Sequence, residues 1–138
     1  MLKKWFFALI LCVFSVSIMA EEMNIKITVN QQVFSARLNN QTAAREFFHL
    51  LPLELDMTEL NGNEKYHQFH GQKFTTQSKI MPQINNGDLM IFGNNYLVIF
   101  YKNFTQNNYA YTPIGKIDNP KDLAKILGRG NVKVKIEK

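Results

Sequence analysis

Met23–Val29 sets Ile25, Ile27 and Val29 against Asn24, Lys26 and Thr28, a period of two that predicts a strand with one face in a core and the other in water. Asn30-Gln31-Gln32 turns the chain and 33–38 (VFSARL) returns, so the two segments read as a hairpin. Asn39-Asn40-Gln41-Thr42 offers side-chain oxygens for capping a helix over 43–51, where Phe47, Leu50 and Leu51 share one stripe. Pro52 ends that helix, since the residue before a proline avoids helical dihedrals. The alternation resumes at 53–57 (LELDM), Asn61-Gly62-Asn63 is turn chemistry, and from 66 to 84 the pattern dissolves into a long, partly ordered loop.

The next hairpin breaks the rule of one wet face. Leu89-Met90-Ile91-Phe92 and 96–101 (YLVIFY) are apolar at consecutive positions, which requires cover on both sides of the sheet. In a short chain this is met when the sheet closes on itself, one face filling a barrel while helices or loops shield the other. The remaining elements are a strand region at 109–117 broken by Pro113, a second short helix opened by Asp118-Asn119-Pro120, and a last alternating strand at 132–136. Leu123, Ala124 and Leu127 form that helix's apolar face, and Gly128 stops it. The fold class expected is mainly β: a closed barrel with two short helices.

Residues 1–20 stand apart from this pattern. Lys3 and Lys4 precede an uncharged apolar run, and Ser17-Ile18-Met19-Ala20 leads into Glu21-Glu22, the layout of a secretory signal peptide cleaved after Ala20. The run falls short of the ~20 residues a helix needs to span a bilayer. The expectation is therefore an exported protein, periplasmic or secreted, touching the membrane only through this leader, with residues 21–138 as a single domain. Cys12, the sole cysteine, leaves with the leader, so the domain has no disulfide to rely on. Lys3 and Lys4 leave too, and the formal charge of +5 becomes +3. A surplus that small serves solubility and gives no reason to expect a nucleic-acid partner.

Three stretches, LPLELDMTELNGNEKY (51–66), NNGDLMIFGNNYLVIFYKNF (85–104) and YTPIGKIDNPKDLAKIL (111–127), resemble a family of small bacterial proteins with a cyclophilin-like fold. The resemblance spans about 24–137 and implies a closed β-barrel with a helix near each end. It also raises peptidyl-prolyl isomerase activity. Catalytic cyclophilins lower the ~18–20 kcal/mol barrier to X–Pro rotation with an arginine in a Phe-x-Arg strand, followed by Phe-Met-x-Gln-Gly-Gly-Asp. Neither string occurs here, and no arginine lies between Arg45 and Arg129. Arg37, Lys65 and Lys73 are the available substitutes, and an ammonium lacks the planar guanidinium fork. An isomerase with a non-standard active site is thus the alternative, behind a non-catalytic module that binds a peptide or small polar ligand.

No residues are assigned a catalytic, metal-binding or cofactor-binding role. His67 and His70 are too few ligands for a metal site, and His49 is expected to be a satisfied, partly buried histidine. Glu54 and Asp56 point the same way along a strand, as solvated acids do. Neither Ser35 nor Ser78 lies in a nucleophile motif, and no phosphate-cradling loop is present. The polar cluster Asn61, Asn63, Glu64 and Tyr66 is the candidate for orienting a ligand, although Asn-Gly chemistry by itself explains a turn there. Tyr109 and Tyr111 share a face and are expected to be an exposed pair, completing the candidate ligand-binding set.

Overall fold

A computed structural model describes residues 8–15 and 22–138. The expected cleavage point after Ala20 lies outside the described residues, and 8–15 form neither helix nor strand. Among the described residues no helix is long and apolar enough to cross a membrane.

The elements are β1 (Met23–Val29), β2 (Gln32–Leu38), α1 (Thr42–Leu50), β3 (Leu53–Leu60), β4 (Glu64–Gln68), β5 (Lys79–Ile80), β6 (Gln83–Ile84), β7 (Asp88–Phe92), β8 (Tyr96–Phe100), β9 (Phe104–Thr105), β10 (Ala110–Ile117), α2 (Leu123–Leu127) and β11 (Val132–Glu137). Strands pair in the order β2-β1-β11-β3-β4-β8-β7-β10, and β10 pairs back onto β2, closing an antiparallel barrel; β5 is added at the edge of β10, and β6 with β9 forms a separate two-stranded ribbon. The closed, mainly β barrel is as the apolar pattern requires.

Its wall explains the doubly apolar hairpin. Leu89, Ile91, Leu97 and Ile99 join Ile25, Ile27, Met57, Ile114 and Ile136 in the interior. Their strand neighbours Met90, Val98 and Phe100 face outward into a second cluster, where Ile84, Met81 and Phe104 cover them. Alternation persists along these strands, but the ribbon of β6 and β9 keeps the outer positions dry. Phe47, Ala43 and Ala44 pack α1 onto the core, and Leu123 and Leu127 do the same for α2.

The chain closes on itself at Gly115. This residue pairs with Leu38 of β2 on one side and Leu89 of β7 on the other, at an irregularity following Pro113. A Cβ there would stand 2.5 Å from the Arg37 carbonyl oxygen and 3.0 Å from Leu38 Cα, and backbone cannot yield as a flexible side chain can. Gly115→Ala is expected to destabilise the domain by about 2 kcal/mol, the scale of an overpacking defect, read as a lower urea midpoint with an unchanged slope.

Several local expectations are corrected. The second helix spans only Leu123–Leu127: Asp122 is its N-cap and makes no side-chain capping bond, and Asp118 Oδ1 instead accepts Arg37 Nε at 2.9 Å. Gln41 is the N-cap of α1 and makes no side-chain capping bond; Asn39 Oδ1 instead accepts the Gln41 amide at 3.0 Å. The stretch read as a loop from 66 to 84 begins as strand β4 and also holds β5 and β6, leaving 69–78 and 81–82 irregular. His49 is exposed, not partly buried.

Candidate functional site

The outer faces of β4, β8, β7 and β10 form one surface by register. Tyr66 opposes Val98, Gln68 opposes Tyr96, Phe92 opposes Tyr96, and Tyr111 opposes Phe92. Aromatic rings follow each other across it: Tyr66–Tyr96 at 5.9 Å, Tyr96–Phe92 at 6.1 Å, and Phe92 to Tyr109 and Tyr111 at 6.2 and 5.6 Å. Tyr111 continues to Phe100 at 5.4 Å, and Phe100 to Phe104 at 5.7 Å. Most of these pairs are tilted or edge-on, the geometries that ring quadrupoles favour.

The surface has a covered half and an open half. Around Phe100 it lies beneath Met81, Ile84 and Phe104. Towards the other end, Phe92 is 39 % exposed, Tyr109 56 % and Ile80 48 %, and Tyr66 and Tyr96 are half-buried. The strands therefore hold a row of neighbouring aromatic side chains partly in water.

Glu64 sits beside this wall, opposite Phe100 and two residues before Tyr66. It is buried at 8 % exposure. Burial, then the nearby negative charge of Glu59, pushes its carboxyl up to about 7. Tyr111 is raised to about 12, first by burial and then by Glu64 and Tyr109, which ties the acid electrostatically to the aromatic row. A carboxyl poised near neutrality against apolar surface can donate a proton in a hydrogen bond or carry a charge, according to pH.

The six residues singled out from sequence divide between two places. Tyr66, Tyr109 and Tyr111 lie on the wall, but Tyr111 is buried, not exposed beside Tyr109. Its ring packs against Phe92 and Phe100 while its backbone pairs with Lys79 of β5. Asn61 and Asn63 belong to the β3–β4 turn at the barrel end. Asn61 has φ 56° and Gly62 φ 67°, while the Asn63 carbonyl accepts the Tyr101 amide at 3.0 Å. Asn63 Oδ1 is buried without a hydrogen-bond partner among the described residues. Phe92 and Tyr96 were missed because a hairpin apolar throughout gives no hint of which positions face out.

Arg37 donates to Asp118, and Lys65 is wholly buried with its ammonium engaged by Glu59 and two backbone carbonyls. His67 Nδ1 lies 3.1 Å from the Asp56 carbonyl. Ser78 Oγ lies 3.4 Å from Thr112 Oγ1. No group of three or more metal-ligating side chains occurs among the described residues.

Comparison with known proteins agrees with the architecture. The model of the cyclophilin-like family matches residues 27–137. Among solved structures, one described as McbB in complex with tryptophan superposes with a TM-score of 0.59 at 16 % identity, covering 83 % of this chain. The match spans 44 % of that longer protein. No curated protein matches the sequence.

Proposed function

The chain belongs to the cyclophilin-like family, and from that premise we propose that it is a non-catalytic binding module whose open aromatic wall receives an extended peptide or a small molecule with a planar apolar group. The observation that carries this reading is the half-exposed row Tyr66–Tyr96–Phe92–Tyr109 on rigid strands. Aromatic side chains supply contact area at low entropic cost, and such anchors dominate recognition surfaces. Glu64, buried beside Tyr66 towards the covered end, adds one polar group next to the row. The structural neighbour is described as binding tryptophan, an amino acid with a planar apolar side chain; the fold it shares with this chain is compatible with a small-ligand role. In this reading residues 1–20 act as an export leader and the module works outside the cytoplasm.

Titration calorimetry with L-tryptophan and with short proline-containing and aromatic peptides tests the proposal. Phe92→Ala and Tyr109→Ala are each expected to weaken binding about tenfold, equivalent to ~1.4 kcal/mol. The half-exposed positions should leave stability nearly unchanged, within about 1 kcal/mol. Binding that survives both substitutions removes the wall as the site. Turnover in a protease-coupled proline-peptide assay, lost in the same two variants, replaces this reading with the isomerase.

A further inference from the structure

A second concavity opens at the barrel end, distinct from the aromatic wall. It measures about 670 Å³ and is lined by Glu59, Gly62 and Tyr101 on one side and by Lys125, Gly128 and Arg129 on the other, with Lys102 at its edge. The Lys102 ammonium leans over the β3–β4 turn, 4.0 Å from where a Cβ on Gly62 would stand.

Two independent features give this cleft a chemical character. The first is charge. Lys102, Lys125 and Arg129 have no carboxylate within ion-pair distance among the described residues. The one acid in the lining, Glu59, is already committed. Its Oε1 accepts Lys65 Nζ at 3.0 Å and the Tyr101 hydroxyl, and its Oε2 accepts the Gly62 amide at 2.8 Å. The Glu59 charge is balanced by Lys65, so the three outer cations are left unneutralised around a concave space.

The second feature is rigidity. The loop that carries Arg129 is fastened to β3 and β4 at three points. Lys65 Nζ donates to the Gly128 and Gly130 carbonyls at 2.8 and 2.6 Å, and Asn131 Oδ1 accepts the Glu59 amide at 3.1 Å. An exposed Gly-Arg-Gly segment needs no such fastening to close a chain reversal. Holding it in place fixes the backbone from which Arg129 projects, which lowers part of the entropic cost of engaging an oxyanion.

We propose that this cleft binds a small multivalent oxyanion, a di- or tricarboxylate or a phosphate compound, between Arg129, Lys125 and Lys102. The site stands independently of the aromatic wall. Citrate and inorganic phosphate, titrated separately at low ionic strength against the protein by NMR amide shifts, are the probes. Saturable shifts centred on Gly62, Lys102 and 125–130 are expected, weakening with added salt as charge recognition must. Arg129→Gln should raise the dissociation constant at least tenfold for the better anion. Lys133→Gln removes the same charge from an exposed strand position elsewhere and should change it less than twofold. Equal weakening by both variants, no saturable shift with either anion, or tighter association with anionic phospholipid vesicles that both substitutions reduce alike would each overturn the proposal.

Discussion

Replacing Lys65 with methionine is expected to cost the domain about 3–5 kcal/mol, the range seen when one member of a buried ion pair is removed. The side chain has no exposed surface, and its ammonium donates to Glu59 at 3.0 Å and to the Gly128 and Gly130 carbonyls at 2.8 and 2.6 Å. It also lies 5.3 Å from the centre of the Tyr101 ring. Methionine fills the space but leaves Glu59 and the Gly128 and Gly130 carbonyls without their buried donor. Burial by itself would raise the Glu59 carboxyl; hydrogen bonds from Tyr101, Lys65 and Gly62, with the Lys65 charge, outweigh it and hold the group below its ordinary value. Removing Lys65 takes away part of that support. Adding Glu59→Gln to Lys65→Met should therefore recover a substantial part of the loss, and a double-mutant cycle by urea denaturation at pH 7 measures the coupling. A single-variant cost under about 1 kcal/mol would show that the ammonium is not holding the barrel end together.

Lys65 also marks where sequence reading stops. Met23–Val29 and the final strand are legible because alternation is local: each residue's face follows from its neighbours. The closed barrel was legible because β7 and β8 have no polar face to spare. Lys65, by contrast, reads as a donor in a polar turn. Its burial depends on carbonyls 63 and 65 positions further along the chain, and nothing near it in sequence announces them. Asp118 likewise pairs with Arg37, 81 residues away, and does not cap the second helix.

The candidate site was half legible for a related reason. Tyr66 and Tyr109 could be chosen as aromatic residues flanking turns. Joining them to Phe92 and Tyr96 required the register of four strands. Tyr111 was misplaced because counting along β10 gives its face but not what lies over that face. Phe100 and Phe92 meet its ring, so it supports the wall from within while Tyr109 stands clear.

Glu64 makes the complementary prediction, in which losing a charge stabilises. Its carboxyl titrates near 7 in the folded chain, raised by burial and by Glu59, against 4.5 without those influences. The folded state thus keeps a proton that the unfolded chain releases between those values. Stability associated with this group is fully present below pH 4.5, falls as pH rises towards 7, and is flat beyond it. At about 1.4 kcal/mol per pH unit the loss reaches roughly 3 kcal/mol. Glu64→Gln retains the shape without the titration, so it should exceed the wild type in stability by up to roughly 3 kcal/mol at pH 8 and by almost nothing at pH 4.5. Urea denaturation of both proteins across this range isolates the group, because every other titration is common to the pair. A difference independent of pH, or a wild type more stable than Glu64→Gln at pH 8, would refute the assignment of a protonated acid beside Phe100. A natural glutamate that glutamine outperforms at neutral pH is kept at a cost to stability. In the proposed binding reading, its place opposite Phe100 and beside Tyr66 on the aromatic row gives that cost a physical reason.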